Sequence, residues 1–141
     1  MQKQQSPGAL VVSPGGDIEV LNPDKIGHNI HLVPLDLLNK SINTMMGAAD
    51  EKLVLKGEKY FTDPEVIRIQ CDIHPWMNCY VAVHDPRYAS VSGADGAFEI
   101  KNIPSGRYEM VISHELGEKR INIEVKAGET NDLGSIAFGE K

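Results

Sequence analysis

The most regular alternation of apolar and polar side chains runs from Ile67 to Cys71: Ile67, Ile69 and Cys71 fall on one parity, Arg68 and Gln70 on the other. A period of two marks a strand with one buried face. Cys71 is therefore expected to point inward at the end of that strand, shielded from water. Shorter runs predict further strands over 9–12, over 18–21 with Ile18 and Val20 on one face, and over 28–33, 52–55, 60–62 and 80–83. Turn residues separate them. The stretch Ser13-Pro14-Gly15-Gly16-Asp17 is expected to fold the first strand back, and Lys56-Gly57-Glu58 and Asp63-Pro64 interrupt the chain again. Between Pro34 and Asp50 the residues Leu35, Leu37, Leu38, Ile42, Met45 and Met46 show no clean period of two. Their spacings of three and four predict a short helix, capped at Asp36 or Asn43.

After His84-Asp85-Pro86-Arg87 the texture changes to short strands with frequent turn residues, over 89–92, 98–101, 107–113, 119–125 and 133–138. Tyr108, Met110 and Ile112 alternate, as do Ile121, Ile123 and Val125. That pattern is half of an antiparallel sandwich with one solvated face. The expected fold class is all-β, in two domains, 1–85 and 86–141.

The chemistry concentrates in Cys71-Asp72-Ile73-His74-Pro75-Trp76-Met77, which sets a thiolate, an imidazole and a thioether three residues apart on one tight loop. A soft thiolate beside imidazole and thioether suits copper, in the trigonal two-histidine, one-cysteine arrangement with a weak axial methionine. Such a site needs a second imidazole from elsewhere. His28 and His31 are the nearby choices, and their odd separation sends them to opposite faces of a strand, so only one can reach Cys71. Gly27 precedes His28 and allows a close backbone approach there.

These residues carry a family likeness. Asn22-Pro-Asp-Lys-Ile-Gly-His28-Asn29-Ile-His31 resembles the first-histidine segment of cupredoxins such as plastocyanin, and Cys71-x-x-His74-Pro75-x-Met77 resembles the short ligand loop of amicyanin. The longer string, with Tyr80-Val-Ala-Val, Asp95-Gly96-Ala-Phe-Glu-Ile and Ile103-Pro104-Ser-Gly106-x-Tyr108, is similar to bacterial proteins that join a plastocyanin-like unit to a carboxypeptidase-regulatory-like (transthyretin-like) β-sandwich. The resemblance spans residues 9 to 138. It implies a cupredoxin-like Greek-key sandwich followed by a second small sandwich. It also implies one mononuclear copper, cycling between Cu(I) and Cu(II), held by His28, Cys71, His74 and Met77. In that likeness Asn29 ties the two ligand-bearing segments together; His114, on the parity of Tyr108, Met110 and Ile112, reads as a satisfied half-buried histidine, with a contact near the copper rim, at a histidine position of the family, as the alternative. The implied function is single-electron transfer between redox partners such as cytochromes or a copper oxidoreductase, docking near the edge of His74, in the periplasm or another extracytoplasmic space. Met1-Gln-Lys-Gln-Gln-Ser-Pro-Gly has no apolar stretch behind its charge. That stretch is no secretory signal, and the resemblance implies an export substrate already trimmed of one.

Composition narrows the alternatives. With 14 basic and 20 acidic residues the net charge is -6, which argues against a nucleic-acid partner, whose phosphates need clustered Lys and Arg. An acidic surface suits solubility or a basic redox partner. No apolar run reaches the roughly 18–20 residues that span a bilayer. The two cysteines, Cys71 and Cys79, leave open a disulfide in a metal-free structural module, as an exported protein allows. If Cys71 binds metal, Cys79 is left as a buried, inert thiol. A copper store using the same ligands without electron transfer is the other alternative. The C-terminal half shows no nucleophile–base pairing or phosphate-cradling glycine loop, and five histidines do not supply a second copper centre, so no enzyme is expected. His31 reads as a surface or packing residue, His84 as a salt or hydrogen-bond partner beside Asp85 at the domain junction, and Met45 and Met46 as core filler. The second sandwich offers a surface for docking or oligomerisation.

Overall fold

The computed structural model describes residues 8–22, 26–47, 51–72, 78–114 and 117–137. Strands β1 (Gly8–Val12), β2 (Ile18–Asn22), β3 (His28–Pro34), β4 (Ile42–Met46), β5 (Glu51–Leu55), β6 (Glu65–Gln70) and β7 (Asn78–Val83) build the first unit, with a single helical turn α1 (Gly57–Tyr60) before β6. Strands β8 (Gly106–His114) and β9 (Gly117–Val125) follow. By packing, the chain divides into two compact units, Met1–Ile100 and Lys101–Lys141. No described helix is long and apolar enough to cross a membrane.

The first unit is a two-layer, all-β sandwich with Greek-key connections. One sheet has the order β1-β7-β6-β3-β4, and the other pairs β2 with β5. The chain changes layer between β1 and β2, β2 and β3, β4 and β5, and again before β6. Alternation explains which face each strand buries. Leu32 on β3 faces Ile69 on β6 and Ile42 on β4, and Ile67 faces Val81. Leu32, Ile67, Val81, Phe61, Leu55, Val83 and Met46 are essentially inaccessible, and Leu10, Val12, Ile18, Val20 and Leu53 pack against them. Burying side chains of this size contributes about 1.5–3 kcal/mol each, which offsets the cost of ordering the strands.

Four expectations change in the first unit. Ser13–Asp17 does not make a hairpin: β1 lies parallel to β7, and the turn carries the chain into the other layer. Residues 42–46 form a strand rather than a helix, pairing Ile42 with Leu32 and His28 with Met46. The spacing of three and four arose from mixing exposed loop leucines, Leu35, Leu37 and Leu38, with the strand residues Ile42 and Met46. Of the two methionines only Met46 is core; Met45 is 61% exposed. Residues 57–60 form a helical turn instead of leading into an extended segment. Asp17 sets it from across the chain, its Oδ1 accepting from the Gly57 amide at 2.8 Å. A Cβ at Gly57 would lie 2.1 Å from the Gly16 carbonyl oxygen, so only glycine fits where this turn meets Gly15 and Gly16.

In the second unit the described strands are β8 and β9, paired antiparallel as a hairpin. Tyr108, Met110, Ile112, Ile121, Ile123 and Val125 share one face and are only half-buried. The described residues of 89–101 and 126–137 form no strand. Segment 131–137 is instead tied to β9 by the Asn131 amide donating to the Glu124 carbonyl and by Lys119 Nζ donating to the Ala137 carbonyl. Tyr108 Oη donates to the Pro104 carbonyl at 2.7 Å, fixing the entry to β8.

Candidate metal centre

The inward parity predicted for Cys71 holds. β6 buries Glu65, Ile67 and Ile69 on alternate positions, and Cys71, next on that parity, is 5% exposed. His28 opens β3 on the inward face and is 6% exposed, opposite the buried Met46. Cys71 Sγ lies 3.7 Å from His28 Nδ1. Residues 43 apart in sequence thus meet because β3 and β6 are neighbours in one sheet, paired as His31 with Gln70 and Leu32 with Ile69. The approach to His28 is tight, since a Cβ at Gly27 would meet the Met46 carbonyl oxygen at 3.1 Å. Asn22, buried, donates from Nδ2 to the carbonyls of Ile26 and Gly47 at 2.9 Å each, closing the chain around that entry.

His31 takes the opposite face, as its parity requires. There Asn29, His31, Asn43 and Gln70 surround Asp72. The Asp72 amide donates to Asn29 Oδ1 at 2.6 Å, and Asn29 Nδ2 returns a bond to Asp72 Oδ2 at 3.0 Å. Asn43 Nδ2 donates to Oδ2 at 3.1 Å, Gln70 Nε2 to Oδ1 at 2.8 Å, and His31 Nδ1 lies 3.2 Å from both oxygens. The Gln70 amide foremost, then His31, with smaller help from Asn29 and Asn43, outweighs desolvation and holds the Asp72 carboxyl down at about 2. The Asn29 clasp between the two segments is therefore present. The role of Asp72 was not visible in sequence, because its partners come from three strands and meet only through sheet register.

Cys79 stands opposite Ile69 on β7, on the same inward face, and burial pushes its thiol up to about 11. Cys71 and Cys79 are not joined by a disulfide in the structure. The register explains why: Cys71 sits diagonally from Cys79, roughly 8 Å between Cα atoms by strand spacing, beyond the ~7 Å that a bridge allows. His84 is exposed, its Nδ1 3.1 Å from the Asp85 carbonyl oxygen, and His114 is exposed on β8. His74 and Met77, the other two expected ligands, lie outside the described residues, as do Pro75 and Trp76. Among the described residues no three His, Cys, Asp or Glu side chains converge on one point.

A first-row metal ion bound to both His28 and Cys71 tests the fit. At about 2.3 Å from sulfur and about 2.0 Å from nitrogen, with an angle of about 110–120°, it would separate the two donors by about 3.5–3.7 Å. The pair already stands at that distance.

No family model and no curated protein matches the chain. Solved structures similar to it include a reduced Cu(I) form of an amicyanin variant, at 25% identity and a TM-score of 0.46, covering 56% of this chain and 71% of that one. A second amicyanin variant with Cu(I) has 22% identity, a TM-score of 0.46 and the same coverage. A purple cupredoxin from Nitrosopumilus maritimus has 23% identity and a TM-score of 0.44, covering 56% of this chain and 80% of that one.

Proposed function

We propose that the first unit is a single-copper electron carrier of the cupredoxin type, with His28 and Cys71 as two ligands and His74 and Met77 as the others. The observation that carries this reading is the buried Cys71 Sγ, 3.7 Å from His28 Nδ1 at the end of an apolar core. A buried thiolate is costly unless a cation compensates it. A soft sulfur beside an imidazole is a donor set that copper prefers. When bound, copper supplies a site for one electron. The protein's part is to hold the thiol and the imidazole on two paired strands, exclude water from them with Met46 and Ile69, and brace the chain on both sides through Asn29 and Asp72. Donors that move little between two oxidation states keep the reorganisation small, which is what a one-electron carrier needs. The partners in this reading are redox proteins docking by the His74 edge, the compartment is extracytoplasmic, and no substrate is turned over.

Copper titration followed by visible absorption and electron paramagnetic resonance tests it, with Cys71→Ser and Cys79→Ser in parallel. An intense sulfur-to-copper charge-transfer band is expected, lost in Cys71→Ser and kept in Cys79→Ser. Tight uptake of Cu(I) with no band and no reversible redox wave would make the protein a copper store. Copper uptake unaffected by Cys71→Ser would reduce the pair to a thiol–imidazole contact of the core.

A further inference from the structure

Asp72 follows the candidate ligand Cys71 directly, yet its carboxylate projects to the other face of the sheet and accepts from four side chains on three strands: Asn29 and His31 of β3, Asn43 of β4 and Gln70 of β6. Its own amide is held at 2.6 Å by Asn29, the residue after His28. The structure therefore joins the two ligand-bearing segments one residue behind each ligand, through a group that carries a charge. A bracing contact alone needs only a hydroxyl or an amide. A carboxylate adds a fixed negative charge on the residue next to the thiol, and the four donors determine how much of its field reaches the inward face.

We propose that Asp72 is a positioning residue that also sets the reduction potential of the copper site, its negative charge favouring the higher oxidation state and its four donors, Gln70 above all, tempering that charge. The proposal rests on the copper reading given above. Donors from four side chains, at 2.8 to 3.2 Å, favour the charged form of the carboxyl. Two opposite substitutions follow. Asp72→Asn keeps the shape and the amide contact to Asn29 but removes the charge, which weakens binding of Cu(II) relative to Cu(I). Gln70→Leu keeps the charge but removes the shortest of its side-chain donors, at 2.8 Å, which leaves more of the field to act on the ligands. A purely structural role for the cluster would move both variants the same way, because both loosen the same brace.

The experiment is a spectroelectrochemical titration of the full chain loaded with copper, comparing wild type, Asp72→Asn, Asp72→Glu and Gln70→Leu, with an electrode and mediators as the electron source. Removing one charge at this range, partly screened by solvent, is expected to shift the Cu(II)/Cu(I) affinity ratio by about three- to tenfold. For one electron that is an upward shift of about 30–60 mV in Asp72→Asn. Gln70→Leu is expected to move downward by less. Asp72→Glu, which keeps the charge but not the fitted geometry, is expected to change the affinity ratio by less than about twofold, which is within about 20 mV of wild type, with an altered band shape. An unchanged potential in Asp72→Asn, or shifts of the same sign in Asp72→Asn and Gln70→Leu, overturns the proposal while leaving the copper reading intact. If the wild-type chain takes up no copper, the proposal falls with the reading beneath it, and that failure shows in the wild-type sample before any variant is compared. Should Asp72→Asn fail to fold, the Gln70→Leu and Asp72→Glu pair decides it, by the direction of the first and the retention of the second.

Discussion

The two faces of the β3–β6 ladder do different work with residues that are neighbours in sequence. Inward, His28, Ile30, Leu32, Ile67, Ile69 and Cys71 are all 9% exposed or less, and the thiol and imidazole sit at the edge of that apolar layer. Outward, His31, Asn43, Gln70 and Asp72 form a polar cluster around Asn29 that water can reach. The inward face excludes solvent and so decides which donors are available. The outward face decides where those donors point. Candidate ligand and brace alternate because a strand sends successive side chains to opposite sides, so the chain can fix a buried group from the opposite face of the same sheet.

The largest effect should come from breaking the inward face. Leu32→Ala removes a fully buried side chain from the centre of β3, between Ile42 and Ile69. It is expected to cost about 2–5 kcal/mol, read from urea unfolding of the metal-free protein. Copper uptake should weaken with it, because β3 carries His28. A loss below about 1 kcal/mol would mean that the apolar layer is not what orders this strand.

Much of this comparison was legible in the sequence. The alternation at 67–71 gave the inward Cys71, and parity separated His28 from His31. What was hidden depended on distant parts of the chain. β4 was masked because the exposed leucines at 35, 37 and 38 filled out a helical spacing, while Glu65 and Asn39 pin that loop by bonds that no local pattern shows: Glu65 accepts from the amides of Asp36 at 2.9 Å and Asn39 at 2.6 Å. The turn at 57–60 depends on Asp17, forty residues earlier. The Asp72 cluster needs three strands in register. The expected boundary after Asp85 sits just past the last strand of the first unit, β7, which ends at Val83, whereas packing divides the chain after Ile100.

A middle-sized effect should come from the outward face. Asn29→Ala removes the acceptor of the Asp72 amide and one donor to its carboxylate, at 2.6 and 3.0 Å. Leaving such groups unpaired costs about 1–3 kcal/mol. The sharper readout is local: amide exchange at Asp72 should accelerate well beyond that of Ile67 on the same strand, and the copper band should broaden. Equal acceleration at both amides would show that Asn29 holds the sheet as a whole rather than the segment behind Cys71.

The smallest effect should come from a brace of the same kind placed away from the ligands. Asp17 accepts from the Gly57 amide and, at 3.4 Å, from Lys56, and the Gly57 amide first of all lowers its carboxyl below the usual value of 3.8. A carboxyl lowered on folding stabilises the folded state above its unfolded value, and that contribution is lost as pH falls through the folded one. Asp17→Ala should therefore bring a slight drop in melting temperature near neutral pH and a shallower decline of stability below pH 3.8, with the copper spectrum unchanged. The contrast with Asn29 isolates position as the cause: both side chains catch a backbone amide from far along the chain, and only one of them stands next to a candidate ligand. If Asp17→Ala alters the spectrum as much as Asn29→Ala does, the site senses the rigidity of the whole sandwich, and the division of labour between the two faces fails.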